Sequence, residues 1–342
     1  METILFLAHT ETDGTLAKAA LETLGAAKTL STSLAGSTLV VGLIGAQVQP
    51  AADQIASCGA TRFIGLTGSD FSQARYASDV LAVEAIGNAA AATIILGPAT
   101  SRWNRVMAGA AQRLGGRIDT HATGITAADG KPSVSRWYYR QRMEGMLTRT
   151  QRPWIILLES GCSTAYSGAA ATAVVEPLTI ALPALRTTVT GVQAPAADAQ
   201  TIRPDAKLLF VAGAGWTKKQ ADGQAHADEA ETLILGFLNK AKASLGSTKS
   251  LVDLSGEGQA VLKFMTHLNQ IGQTGATPRH PKGLATCCHG EEPHTVGWRF
   301  INERRAINLN AACSWAQGKA DVLYVADSFA VMRKVNELLT AK

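Results

Sequence analysis

The chain has 342 residues, 46% hydrophobic and only 17% charged, with a formal net charge of +5. That is enough apolar surface for two ordinary cores and too little charge for a disordered chain. No apolar run approaches the roughly 18 residues of a membrane span, and no dense basic block interleaved with aromatics points to nucleic acid. The five cysteines, Cys58, Cys162, Cys287, Cys288 and Cys313, are odd in number and irregularly spaced. They argue against a disulfide framework and for a reducing, cytoplasmic compartment. The opening residues lack the basic and apolar regions of a secretory leader, so none is expected.

In chain order, residues 3–8, 38–44 and 93–96 are short apolar runs that read as parallel strands covered on both faces. Helical patterns separate them. The clearest spans about 102–114, where Trp103, Val106, Met107, Ala110, Ala111 and Leu114 keep one face of a 3.6-residue period. Ser101 is its expected N-cap, and Gly115 with Gly116 its stop. Residues 133–139 and 154–158 read as strands with no helix between them, which predicts an antiparallel extension. Residues 193–206, rich in Ala and Pro without periodicity, read as a linker between a first domain at 1–192 and a second at 207–342.

The second domain is expected to open with a strand at 207–211, followed by a helix at about 229–243. Ala230, Leu233, Ile234, Phe237, Leu238 and Ala241 form that helix's apolar face, and Asp228 with Glu231 has the form of a capping box. Further strands are expected at 284–288, 305–309 and 321–326. No repeat with a period of 20–50 residues is visible. The fold class is therefore α/β, with two doubly wound domains: the first carries the antiparallel extension, and the second is built on a mostly parallel sheet.

Four segments offer chemistry. Gly213-Ala214-Gly215 follows a strand, where small residues either let a ligand phosphate approach the backbone or simply make a tight turn. The run 270–275 (QIGQTG) presents amides and a hydroxyl on a glycine-rich path, which suits either a neutral heteroaromatic ring or a solvated turn. The run 287–294 (CCHGEEPH) invites a metal, with His280 and Cys313 as possible further ligands, but contains no CxxC pair. The blander reading makes Cys287 and Cys288 the end of a buried strand and puts His289 and Gly290 at its ligand-facing edge. Asp327 ends the last strand at the same kind of edge. Glu291 and Glu292 form no acid/base pair, and no GxSxG elbow supports a nucleophilic serine.

The run 270–275 resembles the QVGQTG loop of the large (alpha) subunit of electron-transfer flavoproteins. The order of neighbouring segments agrees. Residues 211–218 (VAGAGWTK) are similar to VSGGRGLK, 246–249 (GSTK) with Val252-Asp253 to GASR and AVD, and 289–294 (HGEEPH) to SGAIQH. Residues 306–310 (AINLN) resemble the strand leading to the family's asparagine, 325–327 its VAD, and 95–100 (ILGPAT) the LAPAT turn of the same subunit.

This resemblance implies an FAD held mainly by the carboxyl-terminal domain, in a heterodimer with a smaller beta subunit that binds AMP. It implies a flavin dehydrogenase as electron donor and a quinone oxidoreductase as acceptor. The implied FAD positions are Thr248, Lys249, Ile271, Gly272, Gln273, Thr274, His289, Gly290, Glu291, Glu292, Pro293, His294, Asn310, Asp327 and Ser328. Within that set, Lys249 and His294 would stabilise negative charge near N1 and C2=O of reduced flavin. Thr274 would bond N5, and Asn310 and Asp327 the ribose or adenosine side. Several residues depart from the pattern. Gly215 replaces an arginine, Lys249 replaces another, and His289, Glu291 and Glu292 replace smaller or neutral residues. Ala311 and Ala312 stand where the family has Lys and Asp. These departures leave a second reading open, a flavin-free structural subunit of a dehydrogenase complex.

Overall fold

A computed structural model describes residues 1–138, 143–191, 202–203, 205–253, 261–272, 279–287, 301–313, 316 and 320–341. The chain forms two compact units, Met1–Val192 and Gln193–Lys342. Most of the expected linker lies outside the described residues.

The first unit begins with β1 (Thr3–His9), α1 (Lys18–Ser33), β2 (Thr38–Gly45), α2 (Gln49–Gln54), β3 (Arg62–Thr67) and α3 (Tyr76–Ala89). It continues with β4 (Ile94–Pro98), α4 (Ser101–Arg113), β5 (Arg117–Ala128), β6 (Lys131–Tyr138), β7 (Met143–Leu147), β8 (Trp154–Leu158) and β9 (Val175–Pro177). The nine strands form one sheet in the order β7-β6-β5-β8-β4-β1-β2-β3-β9. The side chains of β1 show how it is covered. Ile4, Phe6 and Ala8 pack with α1 residues such as Leu24 and Leu30. Leu5 and Leu7, on the other face, pack with Val83 of α3 and Trp103 and Val106 of α4. The alternation follows from the two-residue period of a strand.

The apolar stripe of α4 is buried as its spacing predicts. Its cap is one residue earlier than expected: Ser101 is already helical, and Thr100 Oγ1 accepts from the Trp103 backbone N–H at 3.3 Å. The helix ends as read, with Gly115 in the left-handed region at φ +65°, a conformation that glycine adopts at no steric cost.

Residues 154–158 are not part of the antiparallel extension. As β8 they lie between β4 and β5, parallel to both. All five are buried, which a central strand requires and an edge hairpin does not. The antiparallel extension is instead β5-β6-β7. β5 begins parallel to β8, bulges between Asp119 and Ala122, and then pairs with β6. His121 sits in this bulge at φ +57° and bonds Glu159 through Nδ1 at 2.8 Å. The root of the extension is tied by the buried carboxylate of Asp119. It accepts from Trp154 Nε1 at 2.9 Å, Arg136 Nη1 at 3.2 Å, and both Nε and Nη2 of Arg149.

The second unit contains β10 (Leu208–Ala212), α5 (Ala227–Ala241), β11 (Ser244–Ser247), α6 (Lys249–Asp253), β12 (His280–Cys287), β13 (Ile301–Asn308), β14 (Val322–Val325) and α7 (Ser328–Thr340). Among the described residues its five strands are all parallel, in the order β11-β10-β12-β13-β14. α5 buries the expected face. The expected capping box is absent: His226 is the N-cap but its side chain makes no capping bond, and Asp228 lies inside the first turn, where its charge faces the helix dipole. β12 and β13 start four residues earlier than their apolar runs. Their first halves carry outward polar side chains, such as the Lys282–Glu303 pair at 3.8 Å, which hide a strand from a hydrophobic reading. Among the described residues, no helix is long and apolar enough to cross a membrane.

Burial works to raise the Asp119 pKa, but Arg149, Trp154 and Arg136 outweigh it and hold the carboxyl below its ordinary 3.8. A depressed folded-state pKa adds stability above the ordinary value, and that stability is lost as pH falls through the depressed one. Asp119→Asn is expected to cost about 3 kcal/mol near neutral pH. This is the low end for a broken buried pair, because both guanidiniums keep some contact with water. Urea titrations at pH 7 and pH 3 should show the difference between variant and wild type shrinking at the lower pH.

Candidate cofactor site

The strand order of the second sheet reverses at β10. From there the chain goes first to β11 on one side and then to β12 on the other. In open parallel sheets, the crevice outside the carboxyl ends of the strands at such a reversal is where ligands bind. The segments that follow each strand here therefore define the candidate site.

After β10 the chain makes a short 3-10 turn, Ala214–Thr217. Gly213 N–H donates to Thr286 O at 2.9 Å, and Gly215 O accepts from Gln220 Nε2 at 3.1 Å. Gly213-Ala214-Gly215 is thus a closed tight turn. Trp216, completely buried, donates from Nε1 to Thr286 Oγ1 at 2.8 Å.

After β11, Thr248 is buried. Its N–H donates to Ala212 O at 2.9 Å, and its Oγ1 accepts from Leu251 N–H at 3.3 Å. Lys249 is exposed, and its Nζ lies 3.4 Å from Asp253 Oδ2. Asp253 also lies 3.7 Å from His267 Nδ1. The cation expected to face flavin is thus paired along its own helix. Ile271 is buried and donates from its N–H to Ser247 O at 3.1 Å, which brings the start of the 270–275 run beside the end of β11. Gly272 has φ +77°, which favours glycine. Gln273, Thr274, His289, Gly290, Glu291, Glu292, Pro293 and His294 lie outside the described residues.

At the end of β13, Asn310 is exposed and its Oδ1 accepts from Ala312 N–H at 2.9 Å. Asn308, the last residue of the strand, is fully buried. Its Oδ1 accepts from Asn310 N–H at 2.9 Å, while its Nδ2 has no partner. Asn308 pairs in register with Val325 of β14. Two residues beyond Val325, Asp327 caps α7, accepting from Phe329 N–H at 3.4 Å and Ala330 N–H at 2.9 Å. Ser328 is fully buried and its Oγ has no partner. Ser247, which ends β11, is also fully buried with a partnerless Oγ.

Ser247 and Asn308 are residues that motif reasoning missed. The one available signal was a small polar residue closing a buried strand.

A buried polar atom without a partner costs about 1–3 kcal/mol, so three of them at one sheet edge ask for a ligand. Their chemistry is mixed: Nδ2 donates, the two hydroxyls donate or accept, and the neighbouring Asp327 carboxylate accepts. That set suits hydroxyls and neutral ring edges better than a bare phosphate. β11 and β13 are three strand steps apart, about 14 Å, so a ligand that reaches both is long. A dinucleotide fits this better than a single ring. Among the described residues, no group of three or more His, Cys, Asp or Glu side chains is placed to hold a metal ion.

Asp327→Ala is expected to cost about 1 kcal/mol through loss of the cap, and Asp327→Asn much less, since Asn caps almost as well. Paired urea titrations of the two variants check this.

A family model described as electron transfer flavoprotein domain matches residues 4–200. No curated protein matches the chain. The matched stretch includes nearly the whole first unit, whereas the crevice lies in the second. It also covers more than half of the 342 residues, and the chain belongs to the electron transfer flavoprotein domain family.

Proposed function

We infer that this chain is the FAD-bearing, alpha-type subunit of an electron-transfer flavoprotein-like heterodimer. It takes electrons from a flavin dehydrogenase and passes them towards a quinone oxidoreductase, with AMP in the smaller, beta-type partner. It works in the cytoplasm. The division of labour follows the chain: 1–192 contacts the partner, 193–206 links the two domains, and 207–342 holds the cofactor. The observation that carries this reading is the set of buried, partnerless polar groups on Ser247, Asn308 and Ser328, at the carboxyl edge of a parallel sheet beside the Asp327-capped start of α7.

The residues fit the group. Asp327 would accept from a ribose hydroxyl, and Asn308 Nδ2 and Ser328 Oγ would find their missing partners. Thr248, Ile271 and Gly272 line the path at the other end, and Asn310 lies at the rim. Lys249 would exchange its exposed pairing with Asp253 for the anionic edge of the ring. Exposed ion pairs of this kind are worth little, so the exchange is cheap. Gln273, Thr274 and the stretch His289 to His294 complete the set by resemblance. When bound, FAD supplies the redox chemistry. The chain binds it, orients it and sets the charge around it.

The second reading, a flavin-free structural subunit, is favoured by Gly215, which supplies no cation after β10, and by the Lys249–Asp253 pair. The two readings separate when the chain is co-expressed with its small partner and its visible spectrum is recorded. One FAD per heterodimer is expected, with affinity falling about tenfold or more in Asn308→Ala, the scale of a lost buried hydrogen bond. A colourless complex that assembles normally and takes up no added FAD would favour the structural subunit.

A further inference from the structure

The segment 211–218 differs from the motif it resembles, VSGGRGLK, at five positions, and the two adjacent changes at 215 and 216 alter its chemistry most. The arginine is Gly215 and the glycine after it is Trp216. The exchange trades a cation for a large apolar ring, and the structure shows where that ring goes. It is completely buried and held from two directions. Its Nε1 donates to Thr286 Oγ1 at 2.8 Å, and that hydroxyl donates to Val211 O at 3.1 Å. The indole is thereby fixed to the next-to-last residues of both strands that flank the reversal point. Its ring packs on Phe329, with centroids 4.6 Å apart at 58°, a tilted contact within the favourable range for aromatic pairs.

Phe329 is the second residue of α7, and its backbone N–H is one of the two that Asp327 caps. Trp216 therefore joins three pieces that meet at the crevice: the turn after β10, the end of β12 and the first turn of α7. The last of these carries Asp327 and the partnerless Ser328.

We propose that Trp216 is a positioning residue of the crevice, holding the start of α7 against the reversal point through Thr286 and Phe329. Packing here takes over the placement of α7 that a cation near the ligand's phosphates would otherwise assist. The proposal rests on the cofactor reading above, and it is specific. The contacts it supports, through Asp327, Ser328 and the neighbouring Asn308, address the adenylate half of the ligand. The isoalloxazine half depends on the opposite end of the sheet.

The test uses the full chain co-purified with its small partner and stripped of flavin, titrated calorimetrically with FAD, ADP and riboflavin. Thr286→Val keeps the ring in place but removes the hydroxyl. Trp216→Phe keeps an aromatic without the N–H, and Trp216→Gly restores the motif's residue. In Thr286→Val and Trp216→Gly, affinity for FAD and ADP is expected to fall about tenfold while riboflavin changes less than about twofold. Trp216→Phe should show a smaller loss of the same pattern. The Trp216 emission, taken as wild type minus Trp216→Phe, should change when ADP is added. If Trp216→Gly does not fold, Thr286→Val carries the test, with its melting curve as the control. Unchanged FAD and ADP affinity in a folded Thr286→Val variant would overturn the proposal, as would equal losses for ADP and riboflavin. Failure of the unaltered chain to bind either FAD or ADP would overturn the cofactor reading itself, and the proposal with it.

Discussion

Buried polar groups must find partners, and this chain leaves three of them waiting at the same edge. A parallel sheet satisfies its own backbone along the strands, but at the carboxyl ends the chain turns away into helices. Where the strand order reverses, no crossover covers that edge. Ser247, at the end of β11, Asn308, at the end of β13, and Ser328, after β14, lie along the carboxyl edge of the second sheet on either side of that reversal, each fully buried. Apolar residues there would have closed the edge at no polar cost. The sequence instead spends stability on groups that only a ligand repays, and the functional reading depends on that imbalance.

The first unit treats its own reversal point differently. Its order turns at β1, between β2 and β4. There His9 Nε2 lies 3.2 Å from Thr100 Oγ1, and the His9 ring meets Trp103 edge-on at 5.4 Å. Thr10 Oγ1 donates to Gln47 O at 2.9 Å. Burial, helped by the nearby Arg102, lowers the His9 pKa from its ordinary value. Arg102 is itself held by the buried Asp79 at 2.6 Å and by Phe71 O at 2.8 Å. Most polar side chains at this edge bond one another, although the buried Trp103 Nε1 has no partner. Among the described residues the contrast with the second unit is one of degree, one partnerless buried group at this edge against three.

The sequence made the layers legible because layers are set by apolar periodicity. The α4 stripe and the continuous run of β8 are both visible as patterns, yet only the first was placed correctly. A run such as 154–158 says that a strand is buried on both faces but not which neighbours bury it. The early halves of β12 and β13 were hidden because Lys282, Glu303 and their neighbours pair across strands at the surface. Asp327 was legible as a residue at a strand's end. Asn308 was not, because the resemblance pointed to Asn310 two residues on; burial separates the two, Asn308 being buried and Asn310 exposed. Trp216 passed for part of a turn, since its Thr286 partner lies 70 residues away.

The central claim is that the carboxyl edge of the second sheet receives FAD. Amide hydrogen exchange, followed by mass spectrometry on the assembled complex with and without FAD, tests it most directly. Protection is expected in peptides covering 244–253, 301–313 and 322–332, with little change across the first unit. Protection confined to the first unit, or none at all under conditions where FAD is bound, would contradict the account.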